Sequence, residues 1–260
     1  MKRFLILFLA LLLSFSVFSV GCGDGGNGGG ELTRAELATT YKEVAESTWE
    51  MYDYQVPTNS GLSLMSASIP DKKQEATEQS DIENIKMNMI TMGAFLYMLG
   101  SLYTNDAFVV TNGYAKFSAT VSIGGGEFEQ VYLIKSSIDK PNGKIYFESI
   151  MSLADMSEQY SNLVITYDFT AKEVKAFTFV TKISSGPMTM YGDMALTEDG
   201  KYLIYETDLT SSTDANDFTA AVDVAVNEFK SGAEGVEKLT TDFSSEMQIY
   251  FDVLNSLIYS

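Results

Sequence analysis

Phe128-Glu129-Gln130-Val131-Tyr132-Leu133-Ile134-Lys135-Ser136-Ser137-Ile138, a break at Pro141-Asn142-Gly143, then Lys144-Ile145-Tyr146-Phe147-Glu148-Ser149-Ile150-Met151-Ser152-Leu153: this stretch decides the fold. Both runs are rich in β-branched and aromatic residues, which suit a pleated surface, and Pro-Asn-Gly is turn chemistry. The gap is too short for a crossover, since parallel strands need a connection of a dozen or more residues, so the two runs pair antiparallel. The same pattern repeats on either side. Tyr114–Ile123 comes before, and Leu163–Phe169, Val174–Ile183, Met188–Leu196 and Tyr202–Thr207 come after. Turn signals stand at Asn112-Gly113, Gly124-Gly125-Gly126, Gly186-Pro187 and Glu198-Asp199-Gly200. An antiparallel meander of about seven strands is expected. The longer join from Asp155 to Asn162 is expected to hold one helical turn.

Several of these runs are apolar on both faces. In Val174–Ile183, alternation puts Val174, Ala176 and Val180 on one face and Phe177, Phe179 and Ile183 on the other. A sheet with one wet face alternates more cleanly, so either both faces are covered or the sheet curls around something apolar.

Helical periodicity flanks the meander. Thr33 and Glu36 form a capping box with Leu32 stapled onto Leu37, and Leu37, Tyr41, Val44, Thr48 and Met51 follow at helical spacing until Pro57. Residues 57–80 read as a mobile loop. Ser80 and Glu83 form a second capping box, opening a helix that is apolar nearly all round from Met89 to Tyr103; such a helix belongs in the centre of a fold. After the strands, Phe218, Ala221, Val222, Ala225 and Phe229 mark a third helix, entered through Thr213 or Asp214. Leu239, Phe243, Met247, Tyr250, Leu254 and Leu257 mark a fourth. The expected architecture is α+β: the meander flanked by two N-terminal and two C-terminal helices, in a single domain over 32–260.

The amino terminus carries an address. Met1-Lys2-Arg3 is basic, and Phe4 to Val20 contains only Ser14, Ser16 and Ser19 as polar residues. That is the layout of a secretory signal. It ends Ser19-Val20-Gly21-Cys22, followed by Gly23-Asp24-Gly25-Gly26-Asn27-Gly28-Gly29-Gly30. These residues resemble the bacterial lipoprotein signal, the lipobox, although Ser19 stands where that signal usually carries Leu. The resemblance implies cleavage after Gly21, a diacylglyceryl group on Cys22 and a flexible tether over 22–31; as a polymer, the eight-residue run from Gly23 to Gly30 has a reach of roughly 16 Å. It covers the first thirty or so residues and says nothing of the fold. Ser19 and Gly21 also fit ordinary signal cleavage, and the apolar run reaches the lower limit of a membrane anchor. Lipidation is preferred because Cys22 is the only cysteine in the chain, and a free thiol in an exported protein invites unwanted pairing.

Composition narrows the chemistry. Cleavage would remove Lys2 and Arg3, leaving fifteen basic against thirty-five acidic residues and a net charge of −20. Such a surface repels nucleic acid, so no nucleic-acid partner is expected. The chain has no histidine, which excludes Ser-His, Cys-His and His-zinc chemistry. Ser137-Ile138-Asp139-Lys140, Tyr160-Ser161-Asn162 and Lys230-Ser231-Gly232 fall in the order used by penicillin-recognising enzymes. The serine of that motif must open a helix, however, and Ser137 ends a strand. Met87, Met89 and Met92, or Met188, Met190 and Met194, offer soft ligands for Cu(I), but methionine equally fills irregular cores. Asp214-Ala215-Asn216-Asp217 reads as a helix cap and Glu198-Asp199-Gly200 as a hairpin turn rather than calcium loops. Trp49 reads as packing.

No metal and no cofactor is expected. The expected role is that of a non-catalytic lipoprotein of the cell envelope, extracytoplasmic, held to the membrane by its N-terminal lipid and acting through a protein partner or structurally. That role predicts a filled core and an exposed apolar or Tyr-rich patch. The alternative is a binding or carrier module for an apolar ligand such as a lipid, contacted by Met89, Met92, Phe95, Leu96 and Leu99. It predicts an apolar cavity of a few hundred Å3 beside those residues.

Overall fold

A computed structural model describes residues 32–50, 74–123, 126–153, 157–186, 188–208 and 217–259. The expected signal over 1–21, Cys22, the tether over 22–31 and residues 57–73 of the expected loop lie outside the described residues. In chain order the elements are α1 (Arg34–Glu50), β1 (Gln74–Glu75), α2 (Gln79–Leu102), β2 (Tyr114–Ile123), β3 (Gly126–Asp139), β4 (Lys144–Leu153) and β5 (Ser157–Asp168). They continue with β6 (Glu173–Ser185), β7 (Met188–Leu196), β8 (Tyr202–Asp208), α3 (Asp217–Gly232) and α4 (Ser244–Tyr259). All strands join one antiparallel sheet in the order β1-β8-β7-β6-β5-β4-β3-β2. Seven strands follow chain order as the expected meander. The eighth, β1, adds two residues of the expected 57–80 loop to the outer edge of β8.

Three local expectations need correction. Strand β5 begins at Ser157, so residues 157–162 form no helical turn. The segment Ser157-Glu158-Gln159 shows no apolar period, but β4 and β6 pair with it on both sides and that context overrides local preference. Helix α2 starts at Gln79 behind Glu78, which makes no side-chain cap, and Glu83 accepts from Gln79 Nε2 at 3.0 Å instead of completing a box. The third concerns Val174. The β5–β6 register pairs Tyr167 with Val174 but Thr166 with Ala176, leaving Lys175 as an extra residue. This bulge reverses the alternation. Val174 therefore shares the core of Phe177 and Phe179, while Val180 faces the other way.

The first capping box forms as read, while Met51, Pro57, Thr213 and Asp214 lie outside the described residues. Thr33 N donates to Glu36 Oε2 at 2.8 Å and Glu36 N donates to Thr33 Oγ1 at 3.2 Å, a reciprocal box. Both sheet faces are covered. Helices α1, α2 and α4 share one core with Phe117, Tyr132, Phe147, Leu163, Phe177 and Phe179 on the inner face. Among the described helices α3 alone packs on the outer face, seating Phe218, Val222, Ala225, Val226 and Phe229 on Tyr114, Ile150, Tyr160, Val180 and Tyr191.

Helix α2 is long and apolar enough to cross a membrane, yet 83% of its most apolar window is buried inside the fold. Its contact with α1 is close. A Cβ on Gly93 would stand 2.4 Å from both Thr48 Oγ1 and Trp49 Nε1, and one on Gly100 would stand 2.7 Å from the Ala38 carbonyl oxygen. Trp49 Nε1 donates to the Ile90 carbonyl at 3.3 Å. At the far end, the Arg34 guanidinium donates to the carbonyls of Phe108 at 2.7 Å and Asn105 at 2.8 Å, tying the start of α1 to the loop after α2.

The β2 edge is occupied by the chain itself. Thr111 and Tyr114 exchange both backbone hydrogen bonds, Leu239 N donates to the Lys116 carbonyl at 2.8 Å, and Thr120 N donates to Ser244 Oγ at 3.1 Å.

The glycine contact is testable. Gly93→Ala gains about 1 kcal/mol of helix propensity but forces Thr48 and Trp49 aside, at a cost of roughly 1–3 kcal/mol. Chemical denaturation should show a net loss, larger than that of Ala substitution at an exposed site on α1. A stabilised G93A chain would contradict the close approach.

Candidate functional site

The five residues singled out for apolar-ligand contact lie together on α2 and are all buried. Phe95 packs against Phe147 at 4.7 Å between ring centroids and against Tyr250 at 6.2 Å. Side chains from the sheet and α4 therefore meet this stretch of the helix directly. A cavity of about 580 Å3 lies elsewhere, where the end of α1 meets the β7–β8 turn, lined by Ser47, Glu50, Glu173, Lys175 and Glu198 among others. None of the five lines it. It is open and mixed in polarity, unlike the expected apolar chamber.

The other motifs land as follows. Ser137 lies in β3, two residues before its end, and Lys140 stands over the Phe169 ring at 5.9 Å. Tyr160, Ser161 and Asn162 sit in the middle of β5, while Lys230 belongs to α3 and pairs with Glu158 at 2.7 Å. Met89 and Met92 are core residues; Met194 is buried and Met188 is half-exposed. Glu198-Asp199-Gly200 forms the β7–β8 turn, with Gly200 at φ +80°. Residues 214–216 lie outside the described residues. Among the described residues no group of three or more His, Cys, Asp or Glu is arranged to hold a metal ion. The exposed large apolar residues among them are Val109, Met188 and Val224, from three separate elements or loops, and form no Tyr-rich patch.

The most distinctive electrostatics lie under α3. Glu148 occupies the centre of β4, on the outer face, only 8% exposed. Register sets Lys135 of β3 directly opposite on one side and Asn162 of β5 on the other. Tyr160 Oη donates to Glu148 Oε1 at 2.6 Å. Asn162 Nδ2 is buried without a hydrogen-bond partner. Burial pushes the Glu148 carboxyl up to about 7, and the nearby Glu228 of α3 adds to this; the Tyr160 hydroxyl and the Lys135 charge act against it. Burial, and then the Glu148 carboxyl, hold the Tyr160 phenol well above its ordinary value. Around this pair, Asp223 of α3 receives Lys182 Nζ at 2.8 Å and the Tyr191 hydroxyl at 2.8 Å. Lys135 Nζ is 5.0 Å from the centre of the Tyr114 ring.

This arrangement offers neither a nucleophile beside a base nor an open face for substrate. What it can do is hold one proton near neutrality. Sequence analysis passed over it, although there was a signal: Glu148 is a lone acid inside an apolar strand, in phase with Tyr146 and Ile150. No known family, curated protein or solved structure matches the chain.

The sign of the effect on stability follows from linkage. The fold binds this proton more tightly than the unfolded chain does. Its contribution is therefore fully present below about pH 4.5 and is lost as pH rises towards 7. Glu148→Gln should stabilise the chain by about 3 kcal/mol at pH 8, with the gain shrinking towards zero near pH 4.5. Urea midpoints across that range check this; a pH-independent difference would rule out the buried acid.

Proposed function

We propose that the chain is a non-catalytic lipoprotein of the cell envelope, facing outward from the cytoplasm and anchored to the membrane through lipid on Cys22. The observation that carries this is Cys22 itself. It is the sole cysteine, it directly follows an apolar run with a basic start, and a glycine-rich stretch comes next. A tether over 22–31 would leave the domain free to orient against a partner. The absence of histidine and the enclosed outer-face acid fit a role in binding or support better than one in turnover.

The apolar-ligand reading is the weaker of the two. Its five contact residues are already occupied by neighbouring side chains, and the described cavity has the wrong lining.

Metabolic labelling with an alkyne fatty acid in a bacterial host tests the anchor. The chain should take up label and partition with membranes, and Cys22→Ala should lose both. An unlabelled, soluble wild-type chain bearing a free thiol would sink the proposal in favour of ordinary secretion.

A further inference from the structure

Helix α3 is the single described element packed on the outer face, and it covers a carboxyl with no full counter-charge. Each element packed around Glu148 contributes a group. Strand β3 brings Lys135, β5 brings Tyr160 and Asn162, and α3 brings Glu228, a second acid. The one hydrogen bond described for the carboxyl comes from a neutral phenol, and no ion pair within 4 Å joins it to Lys135. On both sides β4 is fixed by full-length ladders, so Glu148 gains water from the outer face, where α3 is the described helix that lies over the sheet. The helix sits tightly there, since a Cβ on Gly232 would stand 2.3 Å from Tyr114 Oη. Its ion pairs, Lys230 to Glu158 and Lys182 to Asp223, are partly exposed pairs of the kind that hold weakly, and one hydrogen bond from the Tyr191 hydroxyl to Asp223 joins them.

We propose that α3 is a pH-governed cover on the sheet, seated while Glu148 is protonated and loosened when Glu148 gives its proton to solvent. The carboxylate then gains hydration by local opening, and its charge repels Glu228 on the departing helix. Burial of Glu148 between its neighbours holds its proton to near neutrality, and that sets the range of the change. Opening would bare Tyr114, Tyr160, Tyr191, Ile150 and Val180, an aromatic surface now covered. The inference does not depend on the anchor at Cys22.

Hydrogen exchange on the full chain in detergent micelles, at pH 5.5 and 8.0 and corrected for intrinsic rates, tests this. Protection over 217–232 should fall on the order of tenfold at the higher pH, while the middle of α2 stays unchanged. In Glu148→Gln the fall should vanish. A flat wild-type response, or a fall that persists in E148Q, overturns the proposal. If E148Q does not fold, Glu228→Gln removes the facing charge from the helix side. It should reduce the fall, and an unaltered fall overturns the proposal equally.

Discussion

A helix with no polar face must be enclosed on every side, and α2 imposes that demand on the rest of the chain. Its Met89–Leu102 stretch would expose apolar surface in any arrangement that left one flank open to water. The fold meets this by laying the sheet against one flank, α1 against a second and α4 against a third. Gly93 and Gly100, seven residues apart, allow α1 to come close enough to exclude solvent. Arg34 then fastens the ends of the two helices by two carbonyls of the following loop. The meander supplies a broad wall, but the requirement for it is written in the helix.

Much of this was legible from periodicity. The bounds of β2, β4 and β7 coincide with runs of β-branched and aromatic residues between turn signals, and the Thr33–Glu36 box formed as read. The features that escaped are those decided by neighbours. Ser157 to Asn162 has strand structure because two other strands hold it there. Val174 changed faces because Lys175 is accommodated as a bulge, and nothing in the local alternation marks which residue will be the extra one. The placement of α3 apart from the other helices was equally hidden, since its amphipathic pattern specifies one buried face without saying which side of the sheet receives it.

The same limit applies to the site. Reading α2 for a ligand rested on apolarity, a property shared by core helices and lipid pockets; the packing of Phe95 against Phe147 and Tyr250 is information that apolarity does not carry. Glu148 was visible as an isolated acid in strand β4, but its meaning depended on three other elements. A charge becomes informative when the structure shows what surrounds it: here Tyr160, Asn162 and Glu228 crowd the carboxyl, and Lys135, the one facing cation described, makes no close ion pair with it.

The covered edge of β2 bears on how copies of this protein behave side by side. A strand with free amides and carbonyls is a template for another chain. Thr111 takes up both outward groups of Tyr114, Leu239 the carbonyl of Lys116 and Ser244 the amide of Thr120, so that template is partly used within the molecule. A second copy approaching along this side would meet groups at Tyr114, Lys116 and Thr120 that are already paired, which leaves it less to build on.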